Sequence, residues 1–463
     1  MKKFNVLFYI NFCFILFYTV NINFILVHLN AVVIVAFFSS LFCLYSSYVY
    51  RPFLNNWVLI FFTTYFLFYF FGGGLGKLLL DYGESYTDLP TNFNTGISEY
   101  SEFKAYNYSA IVMHLILALY FLYPNDSYNR VKYFSSDNFF LKISGVLLCI
   151  SIPMVLVNSF FELNFYLQNG FTLFYTTNRY ESFIPFFSSI YNLFSLSSMI
   201  FLASKPSYKK FIIFSFFFLV ISMIESLRGT RSVIIVNLFL ILWYRADIYH
   251  FRTIKISKIF VFCLLGLVFL AFSGAYRQGL NNFEVDQILN LIFKGISMGQ
   301  YQLALYLENI HLLTGIGYFF YPFLFPIYYF FYGESIAFQS LERTFLPMDI
   351  NHTISSKLNQ SAYISGAANG NNFVTEMIVD GILPLMICVF YFLYFYVFRY
   401  RFRSKVHLVI SLIFLKHLIM APRDTVLPNL WFVLKVLVFY FIIYVFREFW
   451  IIFNSRNRTI ISK

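Results

Sequence analysis

The chain has 463 residues, 60% of them hydrophobic and only 12% charged, with a formal net charge of +12. A soluble domain carries roughly a quarter charged residues, so most of this chain is solvated by lipid and a soluble enzyme is excluded. The 66 Phe and 38 Tyr, alongside abundant Ile, Asn and Lys, read as a biased coding composition that suits lipid-facing helices rather than as an aromatic binding surface.

A membrane-crossing helix needs about 20 mostly apolar residues. The start MKKFNVLFYINFCFILFY is built like a signal peptide, but it lacks a small-residue cleavage site and runs into a second apolar stretch. It therefore reads as a retained first helix. The expected spans in chain order are 4–22, 24–48, 57–79, 106–123, 141–161, 184–203, 211–227, 232–244, 258–273, 382–398, 406–421 and 430–450. The eighth is short and is expected to extend into its flanks. All five cysteines lie in apolar runs, which argues against a disulfide framework or a cysteine metal site. The fold class is an all-α polytopic membrane protein, divided into 1–273 (nine spans with short loops), 274–381 (one large loop) and 382–463 (three spans and a tail).

Orientation follows from Lys and Arg in the connections. Alternate connections, beginning with Lys2 and Lys3 and ending with the tail that holds Arg456 and Lys463, carry 21 of the 33 basic residues but only four of the 21 acidic ones. Those connections are expected inside, with both termini cytoplasmic. The net charge is then the signature of orientation, and no nucleic-acid partner is needed. No nucleotide-binding loop, dinucleotide fingerprint or zinc spacing occurs in the inner segments, so ATP is not expected to drive the chemistry.

Three outer connections stand out: 80–105, acidic and rich in Ser, Thr, Asn and Tyr; 162–183, with a Gly-centred turn in LQNGFTLF and Arg179; and 274–381, the only segment able to form a small extramembrane domain. Within the last, LTGIGYFFYPFLFPIYYFFYG (313–333) is interrupted by Pro322 and Pro326 and reads as an interfacial or re-entrant piece. Basic residues are scarce on this side. Arg228 and Arg231 sit in ESLRGTRSVIIV, at a tight turn after the seventh span; Arg277 follows the ninth span in SGAYRQG; and Arg423 lies in APRDTVLP between the last two. Ionisable groups held at helix ends are functional candidates by default, whereas Arg179 and Lys357 read as snorkelling residues. Lys294 and Arg343 lie in the large loop. Candidate acids and bases are Glu376, Asp424, His352, Asp349, Glu225 and Asp380; Glu376 is placed where a Gly/Asn-rich loop enters the tenth span. His28, His114 and His417 lack metal-ligand spacing, so no metal is assigned.

GTRSVIIV after an apolar helix, LQNGFTLF in an earlier outer loop, the large late loop, NNFVTEMIVDGILP opening the next span and PRD before the last one occur in this order. The pattern, over about residues 57–450, resembles the Wzy-type polymerases of O-antigen and enterobacterial common antigen. The resemblance implies a GT-C-like glycosyltransferase in the bacterial inner membrane, with its active site facing the periplasm. It would transfer a growing glycan from undecaprenyl diphosphate to an incoming repeat unit on the same lipid, without metal or cofactor. Guanidinium groups suit a departing diphosphate, which assigns Arg228, Arg231, Arg277 and Arg423 to it. An acceptor hydroxyl needs a base, for which Glu376 stands first and His352 second. A chain-length regulator is an implied partner. A flippase of lipid-linked saccharides and an O-antigen ligase are the competing readings; no internal repeat of the flippase kind is present.

Overall fold

The computed structural model describes residues 2–50, 57–80, 96–122, 138–177, 187–227, 232–249, 298–313, 318–333, 339–346, 348–364, 370, 372–381, 383–394, 405–423 and 430–461. Among these residues there is helix and no strand. Among the described residues, four helices are long and apolar enough to cross a membrane (Val6–Phe24, Leu29–Ser46, Asn138–Gln168, Tyr208–Leu227), and shorter apolar helices accompany them. The protein is an all-helical, multi-pass membrane protein.

Helices α1 (Lys2–Phe24), α2 (Leu29–Tyr50) and α4 (Glu99–Leu122) pack together beside α3 (Trp57–Leu80). Lipid gives apolar helices no hydrophobic reason to associate, so packing and interhelical hydrogen bonds must hold them. His114 of α4 supplies such a clamp. Its Nδ1 meets Asn11 Oδ1 and its Nε2 meets Ser39 Oγ, both at 2.8 Å, while the ring stacks on Phe14 at 4.7 Å. Asn21 donates to Asn107 Oδ1 at 3.0 Å, about two turns away along α4. Both imidazole nitrogens are thus used between helices, a structural role.

The next group comprises α5 (Asn138–Thr177), α6 (Phe187–Ala203), α7 (Tyr208–Leu227) and α8 (Ser232–Ile248). α5 continues past the expected end at 161 and through Gly170, so the Gly-centred turn of LQNGFTLF is helical. One glycine costs a helix only about 1 kcal/mol relative to alanine, too little to end one already propagating. α8 likewise runs beyond 244, to Ile248. Asn237 donates to Ser222 Oγ at 2.7 Å across the α7–α8 pair, and Tyr244 donates to the Leu202 carbonyl at 2.5 Å, joining α8 to α6. The expected ninth span, 258–273, lies outside the described residues.

The segment expected as one large loop holds several short helices: α9 (Met298–Glu308), α10 (Tyr321–Tyr332), α11 (Leu341–Thr344), α12 (Ile350–Leu358) and α13 (Gln360–Ile364). α9 is not a surface element. Residues 299–306 are all buried, and the helix packs against α3 and α4. α14 (Phe373–Asp380) and α15 (Leu383–Leu393) follow, then α16 (Lys405–Met420) and α17 (Leu430–Ile461).

The expected tenth span, 382–398, opens as α15, and α14 precedes it within the segment expected as loop. Gly381 takes φ +80° between α14 and α15, a conformation that glycine adopts without a Cβ clash. The ring of Phe373, at the start of α14, lies 5.9 Å from that of Phe62, and Phe392, near the end of α15, lies 5.1 Å from the same ring. Both ends of the pair converge on one side chain of α3, so the chain folds back on itself at Gly381. Phe373 also meets Phe66, at 6.0 Å. From Phe66 to the end of α3 at Leu80 is about 21 Å of helix rise at 1.5 Å per residue. The N-terminus of α14 is therefore sunk within the bundle.

Candidate functional site

The sunk N-terminus of α14 is where polar groups gather. Asn372 caps it: its Oδ1 accepts the Thr375 N–H at 2.9 Å and the Thr375 hydroxyl at 3.0 Å. The Asn372 amide reaches the Gly299 carbonyl at the start of α9, at 3.5 Å. Phe373 N donates to the carbonyl of Ala421, just past the end of α16, at 3.1 Å. Glu376, in the first turn of α14, is only 3% exposed, and its charge is felt at Tyr306 of α9. A carboxylate there profits from the positive end of the helix dipole.

α9 forms the facing wall. Gly299 lies against Tyr69 of α3 so tightly that a Cβ would strike the ring. Gln300 and Gln302 are buried and hydrogen-bonded: Ser109 donates to Gln300 at 3.4 Å, Gln300 donates to the Glu102 carbonyl at 3.3 Å, and Tyr69 donates to Gln302 at 3.4 Å. At its other end Glu308 accepts from the Ser98 hydroxyl at 2.6 Å and from Ser98 N at 3.1 Å. Those hydrogen bonds hold its carboxyl below the usual carboxylate range.

A second polar layer is built from α10–α13. Asp349 caps α12 by accepting the His352 N–H at 2.8 Å. The His352 ring turns Nδ1 to the Tyr363 hydroxyl at 3.0 Å, and Nε2 lies 3.7 Å from Asp349 Oδ2. Burial lowers the imidazole below its ordinary range, Arg343 adds to this, and Asp349 opposes it. Arg343 is 7% exposed; it donates to the Tyr321 hydroxyl at 2.9 Å and lies 5.9 and 6.0 Å from the rings of Tyr321 and Phe325. The layer is tied to the bundle at Gly370 (φ +81°), whose N–H reaches Asn351 Oδ1 at 2.8 Å and whose carbonyl accepts from Tyr306 at 2.5 Å.

This is a buried acid at a re-entrant helix start, walled by amides and tied to an arginine-bearing turn, within an all-helical membrane bundle. The sequence model of O-antigen polysaccharide polymerase Wzy matches residues 4–452, nearly the whole chain. The chain belongs to this family. No curated protein and no solved structure matches it. The Wzy family is one of glycosyltransferase-like polymerases that act on lipid-linked oligosaccharide units, which gives this chain a role in polymerising polysaccharide repeat units.

Of the residues the sequence points to in this Wzy polymerase, Glu376, His352 and Arg423 are described; Arg228, Arg231 and Arg277 lie outside the described residues. Arg423 is half-buried in the turn after α16, and its N–H donates to the Met420 carbonyl at 2.8 Å. The Phe373–Ala421 hydrogen bond brings its turn to the helix that carries Glu376. His352 belongs to the second layer. Lys357, read as a snorkelling residue, donates to the Leu312 carbonyl at 2.6 Å. Sequence reading passed over Gln300, Gln302 and Asn372, and it named Arg343 without singling it out. The two amides in QYQLALYLE, polar residues in an apolar helix, were the available signal; nothing in the sequence around Arg343 marks it as buried.

Proposed function

We propose that this Wzy polymerase lengthens a surface glycan by transferring the growing chain from undecaprenyl diphosphate to the non-reducing-end sugar of an incoming lipid-linked unit. About twelve spans place both termini in the cytoplasm and the 274–381 segment on the periplasmic side of the inner membrane, as the distribution of Lys and Arg requires. The acceptor hydroxyl oxygen attacks the donor's anomeric carbon, and the bond from that carbon to the diphosphate oxygen breaks. The electron pair leaves with undecaprenyl diphosphate. Arg228, Arg231, Arg277 and Arg423 stabilise that departing charge, which is worth most in a low-dielectric site.

Glu376 takes the acceptor's proton. The observation that carries this reading is the 3.1 Å hydrogen bond from Phe373 N to the Ala421 carbonyl, which ties the helix of the base to the turn of a diphosphate arginine. His352 is the weaker base, because one ring nitrogen is taken by Tyr363 and the other faces Asp349. A chain-length regulator is the expected protein partner.

Deletion of the gene tests the reading by gel analysis of surface polysaccharide. Loss of the ladder with a retained core-plus-one-unit band is the expected result. Loss of every band with lipid-linked units trapped inside would indicate a flippase instead, and polymer accumulating on its carrier would indicate a ligase.

A further inference from the structure

A second cluster of titratable groups lies among α6, α7 and α16. Glu225 is 5% exposed in the last turn of α7. Tyr191 of α6 donates a hydrogen bond to its carboxylate. Lys416 of α16 attracts the same carboxylate, and its Nζ lies 5.3 Å from the centroid of the Phe432 ring of α17. Next to Lys416, His417 holds its Nε2 buried with no hydrogen-bond partner among the described residues.

The four helices meet here at corresponding ends. Tyr191 follows the start of α6 at Phe187, Glu225 precedes the end of α7 at Leu227, Lys416 precedes the end of α16 at Met420, and Phe432 follows the start of α17 at Leu430. Each residue is within about 6 Å of axial rise of its helix end. The connections leaving these ends carry Arg228 and Arg231 after α7, and Arg423 after α16.

A buried carboxylate and ammonium are no more stabilising than a well-packed apolar pair, since each must be stripped of solvent. Stability therefore does not account for this pair, and it leaves the buried Nε2 of His417 without a purpose. An anion entering between the helix ends would give both Lys416 and His417 a partner. Glu225 and Tyr191 would hold the ammonium at the right level while the site is empty.

We propose that Lys416 is a further diphosphate-binding residue of the polymerase, held in position by Glu225 and Tyr191, with His417 donating beside it. The inference rests on the reading above, in which the neighbouring arginines bind the donor's diphosphate. Phosphate chemistry is also offered by lipid headgroups, so the test separates the two sources. The probe is farnesyl diphosphate, bound to the purified protein in phosphatidylcholine nanodiscs.

The wild type should bind it, Lys416→Arg should retain binding, and Lys416→Met should bind at least tenfold more weakly. The double variant Glu225→Gln/Lys416→Met leaves no unpaired buried carboxylate. It should unfold at the wild-type midpoint yet bind as weakly as Lys416→Met. Wild-type affinity in the double variant would overturn the proposal, because Lys416 would then be only the counter-ion of Glu225. Phosphatidylglycerol that displaces the probe from the wild type at equal concentration would overturn it too, marking a headgroup site. If the wild type does not bind the probe, or Arg231→Ala binds it normally, the underlying reading fails instead.

Discussion

Gly299→Ala should loosen the joint between α9, α3 and α14. The added Cβ meets the Tyr69 ring and stands 3.0 Å from the Tyr69 carbonyl oxygen, which no rotamer change moves away. The two hydrogen bonds beside it are already long, 3.4 Å from Tyr69 to Gln302 and 3.5 Å from Asn372 to the Gly299 carbonyl. A displacement of a few tenths of an ångström breaks both, at a net cost of about 1 kcal/mol each. Overpacking adds about 1–3 kcal/mol, and alanine's better helix propensity returns about 1 kcal/mol. The sum is a destabilisation of about 2–4 kcal/mol. Equilibrium unfolding of the detergent-solubilised protein measures it directly. A variant as stable as the wild type, or more so, would leave only the propensity gain and refute the close approach of α9 to α3.

Glu376→Gln preserves shape but not basicity; it should slow chain extension by about 10²–10⁴-fold while unfolding at the wild-type midpoint, read by single-turnover extension of a lipid-linked acceptor. Asn372→Ala removes the cap of α14 and should cost about 1 kcal/mol, with Asn372→Asp recovering most of it in the same unfolding assay. Arg343→Met should free the α10–α13 layer by removing a charged hydrogen bond worth about 1.5–3 kcal/mol, seen as faster limited proteolysis within 318–364. His352 is held below its ordinary pKa of about 6.5, so the fold prefers the neutral ring. Its contribution to stability is therefore complete above about pH 6.5 and is lost as the pH falls below that. Proteolysis of the layer should accelerate from pH 7.5 to pH 5, and His352→Gln should flatten that dependence.

Much of the bundle was legible because apolar length is a strong signal in a chain destined for lipid. Spans such as 57–79 and 211–227 fall within a few residues of α3 and α7. What escaped depends on three-dimensional contact. Gly170 and Gly381 look alike in sequence, yet one is absorbed into α5 and the other folds α14 back on α15. The difference lies in Phe62, which receives the rings of both Phe373 and Phe392. Glu376 was correctly placed at a helix start, but nothing local showed that this start lies deep beside Phe66. α9 was hidden because its two glutamines interrupt the apolar pattern, and only the fold shows Ser109 and Tyr69 satisfying them. Many of the phenylalanines credited to lipid-facing surfaces instead form ring contacts inside the bundle, as Phe66 does with Phe70 at 4.3 Å.

The central claim is that this protein alone joins lipid-linked units through a diphosphate-leaving transfer. Purified protein in liposomes, supplied only with undecaprenyl-diphosphate-linked repeat units and a metal chelator, tests it most directly. The account predicts a ladder of lengthening glycan and free undecaprenyl diphosphate in equal increments, with single units alone from Arg231→Ala. Units that stay unjoined with the folded wild-type protein, or a ladder that Arg231→Ala leaves unchanged, would contradict it.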